Sequence, residues 1–222
     1  MPPEARPHRG AFISFEGGDG VGKSTQLQLL AAALRAAGHE VVSTREPGGT
    51  ALGLELRDAV LHGDHVSPRT EALLYATDRA HHVDTVVRPA LRRGAVVLTD
   101  RYLDSSVAYQ GDGRNLGAAE VERLSLWATD NLLPDLTVLL DLDPTVGLTR
   151  LTGSPDRLER AGADFHARTR QAFLDRAAAG GDRWLVLDAT ASVESLAQAI
   201  GSRAAAVLAT RAVDVTGPDA TR

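Results

Sequence analysis

Residues 15–26 read FEGGDGVGKSTQ, and the lysine they contain, Lys23, is the only lysine in a chain of 222 residues. Twenty-four basic side chains less that one leave 23 arginines. The stretch contains Gly17-x-x-x-x-Gly22-Lys23-Ser24, the spacing of a phosphate-binding loop. It is preceded by AFISFE (11–16), an apolar run that stops at glycines as a buried strand does. It is followed by TQLQLLAAALRAAG (25–38), with leucine and alanine at helical spacing and a closing glycine. Strand, loop and helix are the context the motif needs. Gly17, Gly18, Gly20 and Gly22 allow backbone N–H groups to turn inward around phosphate oxygens, with Asp19 and Val21 between them, and the helix N-terminus adds its dipole. Lys23 then reaches the β- and γ-phosphates, and Ser24 is placed to hold Mg²⁺. An ammonium is a compact charge on a thin stem and fits inside a ring of amides where a planar guanidinium does not.

Outward from the loop, strand and helix alternate. HEVVST (39–44), AVVLTD (95–100), LTVLLDL (136–142) and RWLVLD (183–188) read as further strands. Helices are expected over 51–63, over 68–94 with a bend near Pro89, in two stretches around 103–131, from Pro144 toward Leu151, up to about Ala179, and over 192–209. Strands without alternation are covered on both faces. The fold class is therefore α/β, a doubly wound five-stranded parallel sheet of the P-loop NTPase type with helices on both faces. Ligands in such sheets bind at the carboxyl ends of the strands, here 17–24, 45–50, 100–110, 143–160 and 188–190. The charged, turn-forming island 152–164 reads as a short lid. Residues 11–209 form one domain between a disordered leader, 1–10, and a flexible tail, 210–222.

Composition narrows the function. Apolar residues make up 43% and the net charge is −5, so no general attraction to nucleic acid or an anionic membrane is expected. No apolar run approaches the ~18 residues needed to span a bilayer. With no cysteine, disulfides and thiolate metal sites are excluded, which fits a reducing cytoplasm. His39, His81 and His82 lack metal-site spacing and read as surface or groove-edge residues. A GTPase would need a second lysine in its guanine-reading motif, and a motor ATPase a strand ending in two acids. Here a strand ends in Asp100-Arg101, a carboxylate for Mg²⁺ beside a guanidinium for a substrate anion, and Arg45 ends another.

FEGGDGVGKSTQ, TREPGGT (44–50), LLYATDRAHHV (73–83), DRYLDSSVAYQG (100–111), PDLTVLLD (134–141) and DRLE (156–159) together resemble a bacterial thymidylate kinase, in order and at the right distances from about residue 11 to 200. The resemblance implies transfer of a phosphoryl group from MgATP to dTMP, and a homodimer without nucleic-acid or membrane partners. It implies ATP at residues 17–25, including Thr25, and at Arg150, with a loop near adenine at Asp188-Ala189-Thr190. Asp19 is implied to hold the sugar 3′-hydroxyl, and Arg45 and Arg101 the dTMP phosphate. Tyr75 is implied to stack on thymine, with Arg79 one turn later reading a carbonyl. Taken alone, Tyr75 reads as a core aromatic and Arg79 as a solvated charge. Ser105 and Ser106 fall in the base-reading segment, Ser106 facing thymine N3. Tyr109 crowds the sugar 2′ position with Gln110 beside it. Since residues 18–21 offer no arginine, the catalytic guanidinium falls to the lid, from Arg150, Arg157 or Arg160, with Arg157 first and Glu159 orienting the site, through Mg²⁺ among other routes. LTGSP (151–155) stands where many relatives have a longer arginine-rich run. Two other readings stay open: a P-loop deoxynucleoside or nucleotide kinase of different base preference, and a non-catalytic kinase-fold binding subunit.

Overall fold

The computed structural model describes residues 10–151 and 156–216. Most of the expected leader, residues 152–155 of the lid segment and the end of the tail lie outside the described residues. Five strands form, β1 (Phe12–Glu16), β2 (Val41–Arg45), β3 (Val96–Asp100), β4 (Leu136–Asp141) and β5 (Trp184–Asp188). They pair in parallel in the order β2-β3-β1-β4-β5. β1, β3 and β4 are central and buried almost throughout, which is why their sequences are unbroken apolar runs. β2 and β5 are edges and half exposed.

Helix α1 (Lys23–Ala36) and the last helix, α9 (Val193–Thr216), lie on one face of the sheet. Leu27, Leu30 and Leu34 from the first, and Leu196 and Ile200 from the second, pack on Ile13, Phe15, Leu98 and Val138. The other face is covered by α3 (Pro68–His82), α4 (Arg88–Arg92), α5 (Leu103–Ser106) and α6 (Ala118–Ala128), whose Val83–Leu91 and Leu103–Val121 contributions pack on Phe12 and Val97. Helices α2 (Ala51–Leu61), α7 (Pro144–Thr149) and α8 (Ala163–Ala179) complete the set. β1 has its chain neighbours' strands on both sides, so the crevice at its carboxyl end is the topological switch point.

The segment expected as one bent helix over 68–94 is two helices joined by a π turn, Val83–Val87. Pro89 has no N–H and crowds the carbonyl four residues before it, and widening the preceding turn accommodates both defects. A second π turn, Val107–Gly113, follows α5 and carries Tyr109 and Gln110. Helix α9 continues past Ala209 to Thr216, beyond the expected end. Extending a helix that is already nucleated is cheap. Among the described residues no helix is long and apolar enough to cross a membrane.

Candidate active site

The loop between β1 and α1 turns as its glycines require. Gly17 has φ 129° and Gly20 φ 73°, and a Cβ on either would run into a backbone carbonyl, of Leu140 and Gly147 respectively. Val21 is buried in the core below, anchoring the loop. Lys23 Nζ donates to Gly18 O at 2.5 Å and Gly17 O at 3.2 Å, so the ammonium lies over the loop. Burial first, then the charge of Arg101, brings this ammonium down to about 8. Ser24 Oγ donates to Asp100 Oδ2 at 2.6 Å, bringing together the hydroxyl and the carboxylate expected at the metal. These are hard oxygen donors, few in number, of the kind Mg²⁺ takes beside waters and phosphate oxygens. Glu159 is not brought to them: its Oε2 accepts from Asp156 N at 2.9 Å within the lid segment.

Arg101 is the centre of the adjoining site. It follows β3 in a left-handed conformation, φ 68°, which aims its side chain back over the loop. Nη1 donates to Gly17 O at 2.9 Å and Ser105 Oγ at 3.1 Å, and Nη2 to Asp19 Oδ1 at 2.5 Å and Tyr109 OH at 3.2 Å. Burial works against ionising Asp19, but Arg101, Lys23 and the Tyr109 hydroxyl together hold its carboxyl below the usual range. A carboxylate is thus tolerated inside a phosphate loop because two cations flank it.

Beyond Arg101 lies a pocket with about 530 Å³ of open space. All eight expected acceptor-site residues other than Arg45 line it: Asp19, Tyr75, Arg79, Arg101, Ser105, Ser106, Tyr109 and Gln110. Tyr75 and Arg79 share one face of α3, as their i, i+4 spacing requires. Arg79 is fully buried, with Nε on Glu46 Oε2 at 2.7 Å and Nη2 on Ser106 Oγ at 2.9 Å. Gln110 Nε2 donates to Glu71 Oε1 at 2.9 Å. Gly20, Gly22, Lys23, Ser24, Thr25, Arg45, Asp100 and Arg150 line a second, more open groove, and Asp19 and Arg101 border both spaces.

The three candidate arginines part company. Arg150 lines the groove with Lys23. Arg157 points to α3, where its Nη2 lies 3.2 Å from Glu71 Oε2 and no nitrogen of its guanidinium has a directed hydrogen bond. Arg160 lies in the 3₁₀ turn Glu159–Ala161. Ser105 has a second partner outside the pocket. Its hydroxyl donates to Glu16 Oε2 at 2.5 Å, tying it to β1 as well as bordering the pocket. His82 is not a groove-edge residue: it is fully buried, with Nδ1 2.8 Å from Glu46 Oε1 and Nε2 2.7 Å from Thr44 Oγ1. Among the described residues no group of three or more His, Cys, Asp or Glu is placed to hold a metal.

Sequence reasoning passed over Arg57 and Glu46. Arg57, on α2, borders both spaces and donates to Pro47 O at 3.1 Å. Burial, with Arg45 nearby, lowers its affinity for the proton, the mark of a guanidinium crowded among cations. In an amphipathic helix of a chain with 23 arginines it carried no signal. Glu46 stands next to a noticed arginine, but its burial depends on Arg79 and His82, which reach it from 33 and 36 residues away.

A thymidylate kinase family model matches residues 15–200. The chain is 63% identical over 204 residues to a thymidylate kinase of Clavibacter michiganensis subsp. michiganensis, covering 90% of this chain and 97% of that protein. It is 58% identical over 198 residues to one of Bifidobacterium longum, covering 87% and 96%. A thymidylate kinase of Deinococcus radiodurans is 53% identical over 191 residues, covering 85% and 93%. With the phosphate loop, the Arg101 cluster and the adjoining pocket in one crevice, these matches establish that the chain belongs to the thymidylate kinase family.

Proposed function

We propose that the protein transfers the γ-phosphoryl group of MgATP to dTMP, giving dTDP and ADP. One observation carries the reading. A phosphate loop and a second pocket lined by aromatic and polar side chains meet at Asp19 and Arg101, which border both. A binding module for ATP alone has no use for the second space.

In this reading the loop amides and Lys23 hold the ATP phosphates, with Thr25 and Arg150 alongside. Ser24 and Asp100 would hold Mg²⁺, which would neutralise charge on the transferring group. Tyr75 stacks on the base, while Arg79, Ser106 and Gln110 present polar atoms to its edge. Asp19 accepts from the 3′-hydroxyl, and the ring of Tyr109 closes off the 2′ side. Arg101, Arg45 and Arg57 surround the acceptor phosphate. A phosphate oxygen is already nucleophilic, so no general base is required, and alignment with charge stabilisation does the catalysis. Asp156 and Leu158 border the base pocket and exclude water from it. Arg150, lining the groove with Lys23, is better placed than Arg157 to reach the transferring phosphoryl.

The protein acts as a homodimer. Support comes from Leu54, Leu73 and Trp127, which are 51%, 55% and 82% exposed on α2, α3 and α6. These helices pack on one another, so the three side chains belong to neighbouring elements. The deciding experiment for the activity measures ATP-dependent diphosphate formation from dTMP, dUMP, dCMP and thymidine. Preferential dTDP formation is expected. Turnover of another substrate in preference replaces the base assignment, and no turnover at all leaves a binding subunit.

A further inference from the structure

We propose that Glu16, a residue outside both spaces, is the positioning residue that sets the reach of Arg101, acting through the Ser105 hydroxyl and the Tyr102 N–H. The inference rests on the phosphoryl-transfer reading above. Glu16 ends β1, is fully buried and immediately precedes Gly17 of the phosphate loop. Its Oε1 accepts from Tyr102 N at 2.8 Å and its Oε2 from Ser105 Oγ at 2.5 Å. Ser105 Oγ in turn accepts from Arg101 Nη1 at 3.1 Å. One carboxyl therefore grips Arg101 twice: by the backbone group that follows it, and by the hydroxyl that its guanidinium meets.

The double grip has a physical purpose. Arg101 has φ 68°, a conformation that costs a non-glycine residue about 1–3 kcal/mol and persists only where its surroundings over-determine it. Its own N–H donates to Phe15 O at 2.9 Å, one residue before Glu16, and its guanidinium reaches Gly17 and Asp19. The strand that carries the phosphate loop thus holds the whole arginine turn in register with the loop. Distance between donor and acceptor phosphates is what such registration controls, and in-line transfer is sensitive to misplacement on the 1 Å scale. Burial, with Asp104 nearby, pushes the Glu16 carboxyl up to about 8.

The test is a mutant cycle read in steady-state kinetics on dTMP, with thermal unfolding measured for every variant. Glu16→Ala and Ser105→Ala are expected to lower kcat/KM for dTMP by about 10- to 100-fold while KM for ATP stays within about threefold. Glu16→Gln, which keeps an acceptor for Tyr102 N and a polar partner for Ser105, is expected to recover most of the loss. Glu16→Ala added to Arg101→Met is expected to cost almost nothing further, because the arginine it positions is gone. Multiplying losses in the double variant, a Glu16→Gln no better than Glu16→Ala, or an unaffected Ser105→Ala each overturns the proposal. If Glu16→Ala does not fold, the Gln and Ser105 variants decide alone. Should the wild-type protein prefer another monophosphate, the cycle runs on that substrate, so the base assignment fails while positioning is still judged. A wild-type protein that phosphorylates no monophosphate overturns both.

Discussion

Lys23 sits among carbonyls and cations that few ammonium groups tolerate. Among the described residues its ammonium donates only to the Gly17 and Gly18 carbonyls, and it makes no ion pair. Lys23→Ala should therefore leave the unfolding midpoint near its wild-type value and lower kcat by two or more powers of ten, about what losing one well-placed phosphate contact costs. A loss below tenfold removes Lys23 from the chemistry. Because it is the sole lysine and its ammonium is brought down to about 8, amine acylation near pH 8 should label this side chain and MgATP should protect it. Peptide mapping with and without nucleotide reads this, and labelling that ignores ATP contradicts the assigned site. Tyr109 separates two contributions that the sequence joins. Its ring packs edge-on to Phe165 and Phe173, so Tyr109→Ala should cost about 3–5 kcal/mol of stability. It should also raise the relative turnover of ribothymidylate. Tyr109→Phe keeps the ring and loses only the hydroxyl on Asp19, and should keep the deoxyribose preference. An unchanged ribo-to-deoxy ratio in the Ala variant defeats the idea that the ring reads the sugar.

At the scale of elements, the lid is where sequence and structure diverge most. Asp19, Arg101, Tyr75 and Arg79, named through the family resemblance, line one pocket: the first two follow strand ends and the last two share a face of the regular helix α3, whereas Tyr109 rides on a π turn. Arg157 rides on neither a strand end nor a regular helix. It follows the segment 152–155 and precedes a single 3₁₀ turn, so spacing carries no information about where its guanidinium points. Its partner, Glu71, is a buried acid on α3 that also receives Gln110 and Arg114, a cluster built from three separate segments. Ser105 is a similar case, since its bond to Glu16 spans 89 positions. On the proposed function, Arg150, which lines the groove with Lys23, is expected to meet the transferring phosphoryl ahead of Arg157. Arg150→Ala should lower kcat by about 10³–10⁵, the scale of arginine fingers elsewhere, with little change in dTMP affinity. Arg157→Ala should instead weaken dTMP binding, by loosening α3 at Glu71, and change kcat less. Calorimetric dTMP affinity and kcat for both variants decide it. A larger kcat loss for Arg157 than for Arg150 restores the original order.

At the scale of the whole molecule, the sheet was legible because its three central strands are buried on both faces and must be apolar throughout. What was not legible is the number of charged groups the crevice draws inside, since burial is a property of the assembled fold. Glu16, Glu46, Glu71, Asp78 and Asp104 are all buried. Their sequence neighbourhoods look no different from those of exposed acids. This burial has a thermodynamic consequence. Burial first, then Asp104, raises Glu16 from 4.5 to about 8, and burial first, then Glu46, raises Asp78 from 3.8 to about 6. Both groups bind protons more tightly folded than unfolded. Their stabilisation is fully present below the unfolded values and is lost as pH rises through the folded ones. Asp19 has the opposite sign, its folded value being lowered from 3.8, so its contribution is lost in acid. The ligand-free protein should then resist urea best on the acid side of neutrality and weaken steadily from about pH 5 to 8. Asp78→Asn should flatten the part of that decline below about pH 6, and Glu16→Gln the part above it. Unfolding free energies at pH 5, 6.5 and 8 for the three proteins measure both slopes. A wild-type stability that rises across this window means that neither acid holds its proton in the fold. Lys23, lowered from 10.5 to about 8, works the other way only above pH 8, where the folded state has already released a proton that the unfolded chain retains. The acids are ionised in both states by then, so stability should turn upward from about pH 8 toward 10.5, and in Lys23→Ala it should stay level.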